Sequence, residues 1–308
     1  MKFIKIIRIQ NLVMLALLQF IIRFVFLKNQ NVSLALANWQ FCLLILSTLC
    51  IAAGGYIIND IFDQETDEIN NPETRIIGVS ISESFAYNLY VGFTIIGVCI
   101  GFYLANVIER PSFATVFIVL ASLLYFYATS LKQTLLIGNI VVAFALSFSI
   151  IIIALFDMFP SIDPENKPRM AVLFGIMLDY AIFAFMINFL REIVKDLEDE
   201  LGDKSQSMNT LPIVLGTTKT SKLLAILSII PVVLVSNYVY VYFFKNNLLT
   251  CTLFGMFTII APLIYFASKI WFATSKQDFK HLSLILKIIL FFGIISIALI
   301  SYTIKNHA

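Results

Sequence analysis

Apolar residues fall in nine blocks along the chain, at 11–28, 38–58, 84–108, 112–130, 135–157, 170–190, 221–244, 248–274 and 282–304, with polar stretches between them. Blocks of roughly 18 to 25 apolar residues are long enough to cross the ~30 Å hydrocarbon core of a bilayer as helices. Lipid offers no water to backbone N–H and C=O groups, so a spanning segment must be a helix or part of a closed barrel, and the period-two alternation of a barrel strand is missing here. The pattern predicts an all-α, polytopic membrane bundle of about nine transmembrane helices. No long polar linker divides the blocks, which predicts a single domain over residues 1–308. The first block follows Lys2, Lys5 and Arg8 but has no small-residue cleavage site, so it reads as a retained span.

Polar positions are sparse, and two of the connections break the rhythm. About 25 residues run from Asp60 to Ser84, and the stretch from Arg191 to Thr220 is longer still; connections of that length are commonly functional. Both begin with carboxylates. In GGYIINDIFDQETD (Gly54 to Asp67), Asp60, Asp63 and Asp67 stand at i, i+3 and i+7, a spacing that predicts one helix face shared with Asn59. Asp196, Asp199 and Asp203 repeat the spacing in REIVKDLEDELGD. The outer connections, around Glu109–Pro111 and Phe159–Arg169, read as ordinary turns with Pro and Asn punctuation. Arg23, alone inside the first block, is expected to snorkel toward the outer end.

Composition narrows the classes. A chain that is 60% hydrophobic and 13% charged has more apolar surface than a soluble domain of 308 residues can bury, and a net charge of +2 gives no pull toward nucleic acid. Cys42, Cys50, Cys99 and Cys251 have no ligand-like spacing, which argues against a disulfide or zinc framework. With only His281 and His307, histidine metal sites and Ser/His/Asp chemistry are poorly supported. Fourteen of the 21 Lys and Arg residues lie on the side of the acidic connections if the N-terminus is cytoplasmic. The positive-inside rule then predicts an integral protein of the cell inner membrane with the N-terminus and acidic site in the cytoplasm and the C-terminus outside.

Aspartate oxygens without imidazole or thiolate partners are hard ligands suited to Mg2+, which usually bridges to phosphate. Seven helical residues span about 10 Å, too far for every Asp of one cluster to reach one ion. Two facing clusters therefore suit two ions clamping a diphosphate as a leaving group. Asn59, Asp60, Asp63 and Asp67 are candidates for one ion, and Asp196, Asp199 and Asp203 for the other; Asp63, Asp67, Asp199, Asp203 and Lys195 are the candidate catalytic groups. Arg8, Lys132, Arg191 and Lys195 are the candidates for diphosphate, with Tyr127 beside Lys132 and Asn11 as an acceptor-orienting group. A prenyl tail would lie among the Phe- and Leu-rich helices, where aromatic faces stabilise an allylic cation.

These residues resemble the UbiA family of intramembrane prenyltransferases. Asn59, Asp60, Asp63 and Asp67 fill its NDxxDxxxD signature, and Asn70, Pro72, Arg75 and Gly78 its continuation. Arg8 with Asn11, Tyr127 with Lys132, and Gly138 with Asn139 spread the likeness over most of the chain. Ile9 and Thr74 depart from the pattern. Within the family, Arg191, Glu192, Lys195, Asp196, Glu198, Asp199, Gly202, Asp203 and Thr210 to Pro212 are most similar to the archaeal-type lipid enzymes. The resemblance implies Mg2+-dependent transfer of a prenyl group from a prenyl diphosphate to a lipophilic acceptor, geranylgeranylglyceryl phosphate or a related prenylglyceryl phosphate, with Arg8 or Lys5 near the acceptor's phosphate. Membrane lipid is the expected surroundings, and no obligate protein partner is implied. Two rivals stay open: prenylation of an aromatic quinone precursor, and a cation-binding membrane transporter.

Overall fold

A computed structural model of the chain describes residues 2–307 apart from Asn71 and Thr74, so the Thr74 departure lies outside the described residues. Among them are nine helices long and apolar enough to span a membrane: α1 Ile9–Gln30, α2 Asn38–Phe62, α3 Glu83–Val107, α4 Pro111–Thr129, α5 Ile137–Ser161, α6 Lys167–Glu198, α7 Thr217–Phe244, α8 Leu249–Ile270 and α9 Lys276–Thr303. The chain is an integral membrane protein. Hydropathy located every helix but clipped the aspartate-side ends of three. Helix α2 continues to Phe62, α6 to Glu198, and α9 starts at Lys276, because the turns added there carry charged and polar residues. At 1.5 Å per residue the 32-residue α6 is about 48 Å long, well over the hydrocarbon thickness, so its acidic end stands in the aqueous boundary.

Helix pairs α2 with α3, α5 with α6, and α6 with α9 make the most extensive contacts. Small residues permit the first of these: Ser47 Oγ donates to the Gly97 carbonyl at 2.6 Å across the α2–α3 crossing. One apolar cluster fills the half of the bundle away from the aspartate stretches, around Phe26, Phe41, Phe117 and Phe156. A second joins α6 to α7, α8 and α9 around Phe266, Phe279 and Leu286. A third, around Ile57, Ile58 and Ile61, backs the aspartate end of α2.

Arg23 does not snorkel. Its side chain is 3% exposed and forms an ion pair with Asp157, whose side chain is 0% exposed. Both residues sit in π-helical turns, Ile21–Leu27 and Ala154–Met158, where the extra residue in the turn shifts which side chains face inward. Arg23 NH2 also donates to the Leu36 carbonyl at 2.7 Å, and Asp157 Oδ1 accepts from Leu36 N at 2.8 Å. The pair thereby ties α1 and α5 to the α1–α2 connection. An exit to the headgroups at that end would leave Asp157 unpaired in an apolar core, which explains why pairing wins over snorkelling.

Candidate active site

Each acidic stretch bends at its middle aspartate. Asp63 ends α2 with φ −95° and ψ 4°, and Asp199 ends α6 with φ −104° and ψ 10°. A short helix follows each, Gln64–Asn70 and Glu200–Ser205. The single straight helix face expected for each trio is therefore two segments with a bend, although Asp67 N still bonds to Asp63 O at 2.7 Å and Asp203 N to Asp199 O at 3.1 Å. Acidic residues in the first turns of both short helices, Glu65 with Asp67 and Glu200 with Asp203, favour these segments through the helix dipole.

The two short helices pack against each other. Asn70 clasps them: its Nδ2 donates to the Asp199 carbonyl at 2.9 Å, and its Oδ1 accepts from Gly202 N at 2.9 Å. A Cβ on Gly202 would lie 2.3 Å from Asn70 Nδ2, so only glycine allows this approach. From the start of α9, Lys276 Nζ donates to Asn70 O at 2.6 Å. Gly202→Ala and Asn70→Ala are each expected to remove about 1–3 kcal/mol of clasp energy, two hydrogen bonds' worth. Their double variant should be no worse than either single, read as thermal unfolding in detergent, because both remove one contact.

Cations and amides already occupy part of the acidic rim. Arg8, held at φ 50° just before α1, donates from NH2 to Asp60 Oδ1 at 2.7 Å and stacks on Tyr56, 5.1 Å from the ring centre. Burial alone would lower its pKa, but the Asp60 carboxylate and Tyr56 hold it above the usual arginine value. Lys132 Nζ pairs with Asp63 Oδ1, and Asn59 Nδ2 donates to Asp63 Oδ2. The turn carrying Lys132 lies tight on α5, since a Cβ on Gly138 would come within 2.8 Å of Lys132 Cα. Asn139 Nδ2 donates to Asp196 Oδ2 at 2.8 Å. Lys195 Nζ donates to Glu192 Oε1 at 2.6 Å, and Arg191 NH1 stands 3.5 Å from the same oxygen. Burial, then mutual repulsion among the carboxylates, pushes Asp67 and Asp199 up to about 6 and Asp203 up to about 7.

Below the rim a cavity of about 220 Å3 runs into the bundle. Arg8, Asn11, Tyr56, Asn59, Tyr127, Arg191, Glu192 and Lys195 line its polar end, while Phe117, Phe148, Ile152 and Ile297 line its apolar depth. Along α6 the lining extends from Lys195 to Tyr180, about 22 Å of helix. Buried Gln19 braces the wall, donating to Ser149 O at 3.0 Å and accepting from Thr48 Oγ1 at 2.8 Å.

The expected site residues thus gather at one mouth. Lys5 does not join them: it is exposed and lines no part of the cavity. Tyr56 escaped the sequence reading, although its place three residues before Asn59 puts it on the same helical face. Whether a divalent cation suits the rim turns on its oxygens. Asn59 Oδ1 and Asp199 Oδ1 are buried acceptors without a hydrogen-bond partner, and the raised carboxyl pKa values mark crowding that a cation relieves. Among the described residues no three carboxylates converge on one point as they stand. The donor set fits Mg2+ in kind, and the ligands to be recruited from Lys132 and Arg8 are those now paired, Asp63 and Asp60.

A nine-span helical bundle whose paired aspartate helices cap an apolar cavity defines an intramembrane enzyme class that handles an anionic head and a lipid tail. A model described as the UbiA prenyltransferase family matches residues 16–299. The chain belongs to that family. A digeranylgeranylglyceryl phosphate synthase of Methanosphaera stadtmanae is 32% identical over 263 residues, covering 83% of this chain and 87% of that one. The synthase of Sulfolobus acidocaldarius is 35% identical over 191 residues, covering 59% of this chain and 62%, less than two thirds, of the relative. In structure, a digeranylgeranylglyceryl phosphate synthase is similar with a TM-score of 0.61 at 21% identity, over 98% of both chains. A UbiA homolog from Archaeoglobus fulgidus bound to DMAPP and Mg2+ is similar with a TM-score of 0.60 at 15% identity, over 96% of this chain and 99% of that one.

Proposed function

We propose that the chain transfers a prenyl group from a prenyl diphosphate to geranylgeranylglyceryl phosphate or a related prenylglyceryl phosphate, with Mg2+ at the acidic rim. The observation that carries this reading is the clasp at Asn70, which holds two chain-distant aspartate helices together over a lipid-shaped cavity. Asn59, Asp60, Asp63 and Asp67 would hold one Mg2+ and Asp196, Asp199 and Asp203 another. When bound, Mg2+ supplies charge stabilisation of the departing pyrophosphate.

Arg8, Lys132, Arg191 and Lys195 bind and orient the diphosphate oxygens as the C1–O bond of the donor breaks. The allylic cation left in the cavity faces Tyr56 and Tyr127, whose rings stabilise positive charge. The acceptor hydroxyl oxygen then forms the new C–O bond, and its proton passes to the pyrophosphate or to a rim carboxylate. Apolar walls keep water, the competing acceptor, away from that cation.

The reading includes one domain over residues 1–308 in the cell inner membrane. The N-terminus and rim face the cytoplasm and the C-terminus the outside, in keeping with the excess of basic residues at the acidic end. Transport is disfavoured by the far end, where Arg23, Asp157, Phe26 and Phe41 are buried and none of the four lines this cavity. In proteoliposomes with Mg2+ and labelled geranylgeranyl diphosphate, transfer to geranylgeranylglyceryl phosphate should exceed transfer to an aromatic quinone precursor by at least about 100-fold, ~2.7 kcal/mol of discrimination. Equal transfer to both would refute the acceptor assignment, and ion flux without any prenyl product would refute the enzyme.

A further inference from the structure

Four cations at the acidic rim and the polar end of the cavity have a carboxylate partner: Arg8 with Asp60, Lys132 with Asp63, and Arg191 and Lys195 with the shared Glu192. A fifth does not. Lys287, on α9, lines the same cavity with no carboxylate partner among the described residues, and its one described bond is a long one, 3.4 Å, to the neutral amide oxygen of Gln10. On the same cavity, Arg191 of α6, the helix that packs against α9, shares Glu192 with Lys195, and its Nε is buried with no hydrogen-bond partner. Two like charges facing one apolar pit, one with an orphaned donor, leave a place for an anion.

Position says which anion. Lys287 lies about three helical turns along α9 from Lys276, yet it meets Gln10 at the very start of α1, so it stands level with the polar end of the cavity and not with its tail. Helix α9 packs closely on the outer half of α1, residues 21–27, and only lightly on residues 9–20. Lys287 thus sits where α9 diverges from the start of α1, at the polar end of the cavity.

Resting on the prenyl-transfer reading, we propose that Lys287, with Gln10, forms a subsite for the phosphate monoester head of the lipid acceptor, next to Arg191 and the other groups that hold the donor diphosphate. Lys287 is a specificity-determining residue: it binds an acceptor that carries phosphate and gives nothing to one that does not. This replaces Lys5 as the extra cation for the acceptor head.

The test uses the full chain in detergent micelles, with geranylgeranylglyceryl phosphate, unphosphorylated geranylgeranylglycerol and inorganic phosphate as probes, without donor or Mg2+. Wild type should bind the phosphorylated lipid at least tenfold more tightly than the unphosphorylated one, and Lys287→Gln should erase that difference while Lys287→Arg restores it. In turnover, Lys287→Gln should raise the acceptor KM at least tenfold with little change in kcat or in the KM for geranylgeranyl diphosphate. Equal affinity of wild type for both lipids, or a donor KM that rises as much as the acceptor KM, overturns the subsite. Competition by inorganic phosphate as strong as by the phosphorylated lipid also overturns it, since the site would then take free phosphate. A wild type that binds phosphorylated lipid through Lys287 but forms no prenyl product overturns the enzyme reading and leaves the subsite standing.

Discussion

Asp63→Ala and Asp199→Ala are each expected to cut kcat for prenyl transfer by at least about a thousandfold, some 4 kcal/mol of transition-state stabilisation, with the fold intact. The two residues occupy equivalent bends in two distant stretches, and each sits where α2 or α6 gives way to its short helix. Loss of either removes hard oxygens from the rim while leaving the Asn70 clasp, which uses the backbone of Asp199 and not its carboxylate. Folding is not expected to suffer at Asp199. Its pKa of about 6 lies above the usual aspartate value, so the folded chain loses stability as pH rises through about 4 to 6, and at neutral pH the charged carboxylate is a cost that alanine removes. At Asp63 alanine leaves the ammonium of Lys132 without its partner, and Asp63→Asn serves as the control that keeps the shape. Steady-state turnover paired with thermal unfolding separates the effects; near wild-type turnover in either variant would refute its role at the rim.

Arg23→Met or Asp157→Leu should each destabilise the protein by about 3–5 kcal/mol, because each strands the other buried charge. The double variant Arg23→Met with Asp157→Leu is expected to recover most of that loss, since a buried ion pair and a well-packed apolar pair are often close in energy. Chemical unfolding of the two singles and the double in one detergent gives the coupling directly. Additive losses would mean that the pair contributes no coupling and that the Leu36 bonds alone hold the outer end.

The nine spans were legible because lipid imposes a single solution on apolar runs of that length, and the aspartate spacing was legible because chemistry demands hard oxygens at a phosphate. Hidden were the features that depend on partners distant in the chain. Arg23 reads as a snorkelling cation until Asp157, 134 residues later, is seen to face it across two π-helical turns. Spacing alone treated each aspartate trio as one straight helix, and the bends at Asp63 and Asp199 follow from packing between the two short helices. Gly202 was visible as a motif position, but its reason, the approach of Asn70, was not. Lys287 was counted as one more inner positive charge, and what distinguishes it is a place on the cavity wall without a carboxylate partner among the described residues.

The central claim is that both aspartate helices serve one diphosphate. Equilibrium binding of a non-cleavable prenyl thiodiphosphate to the purified chain, titrated with Mg2+, tests it most directly. Binding that requires Mg2+ and is lost alike in Asp63→Ala and Asp199→Ala is the predicted result. Binding that survives in either variant, or that ignores Mg2+, would contradict it.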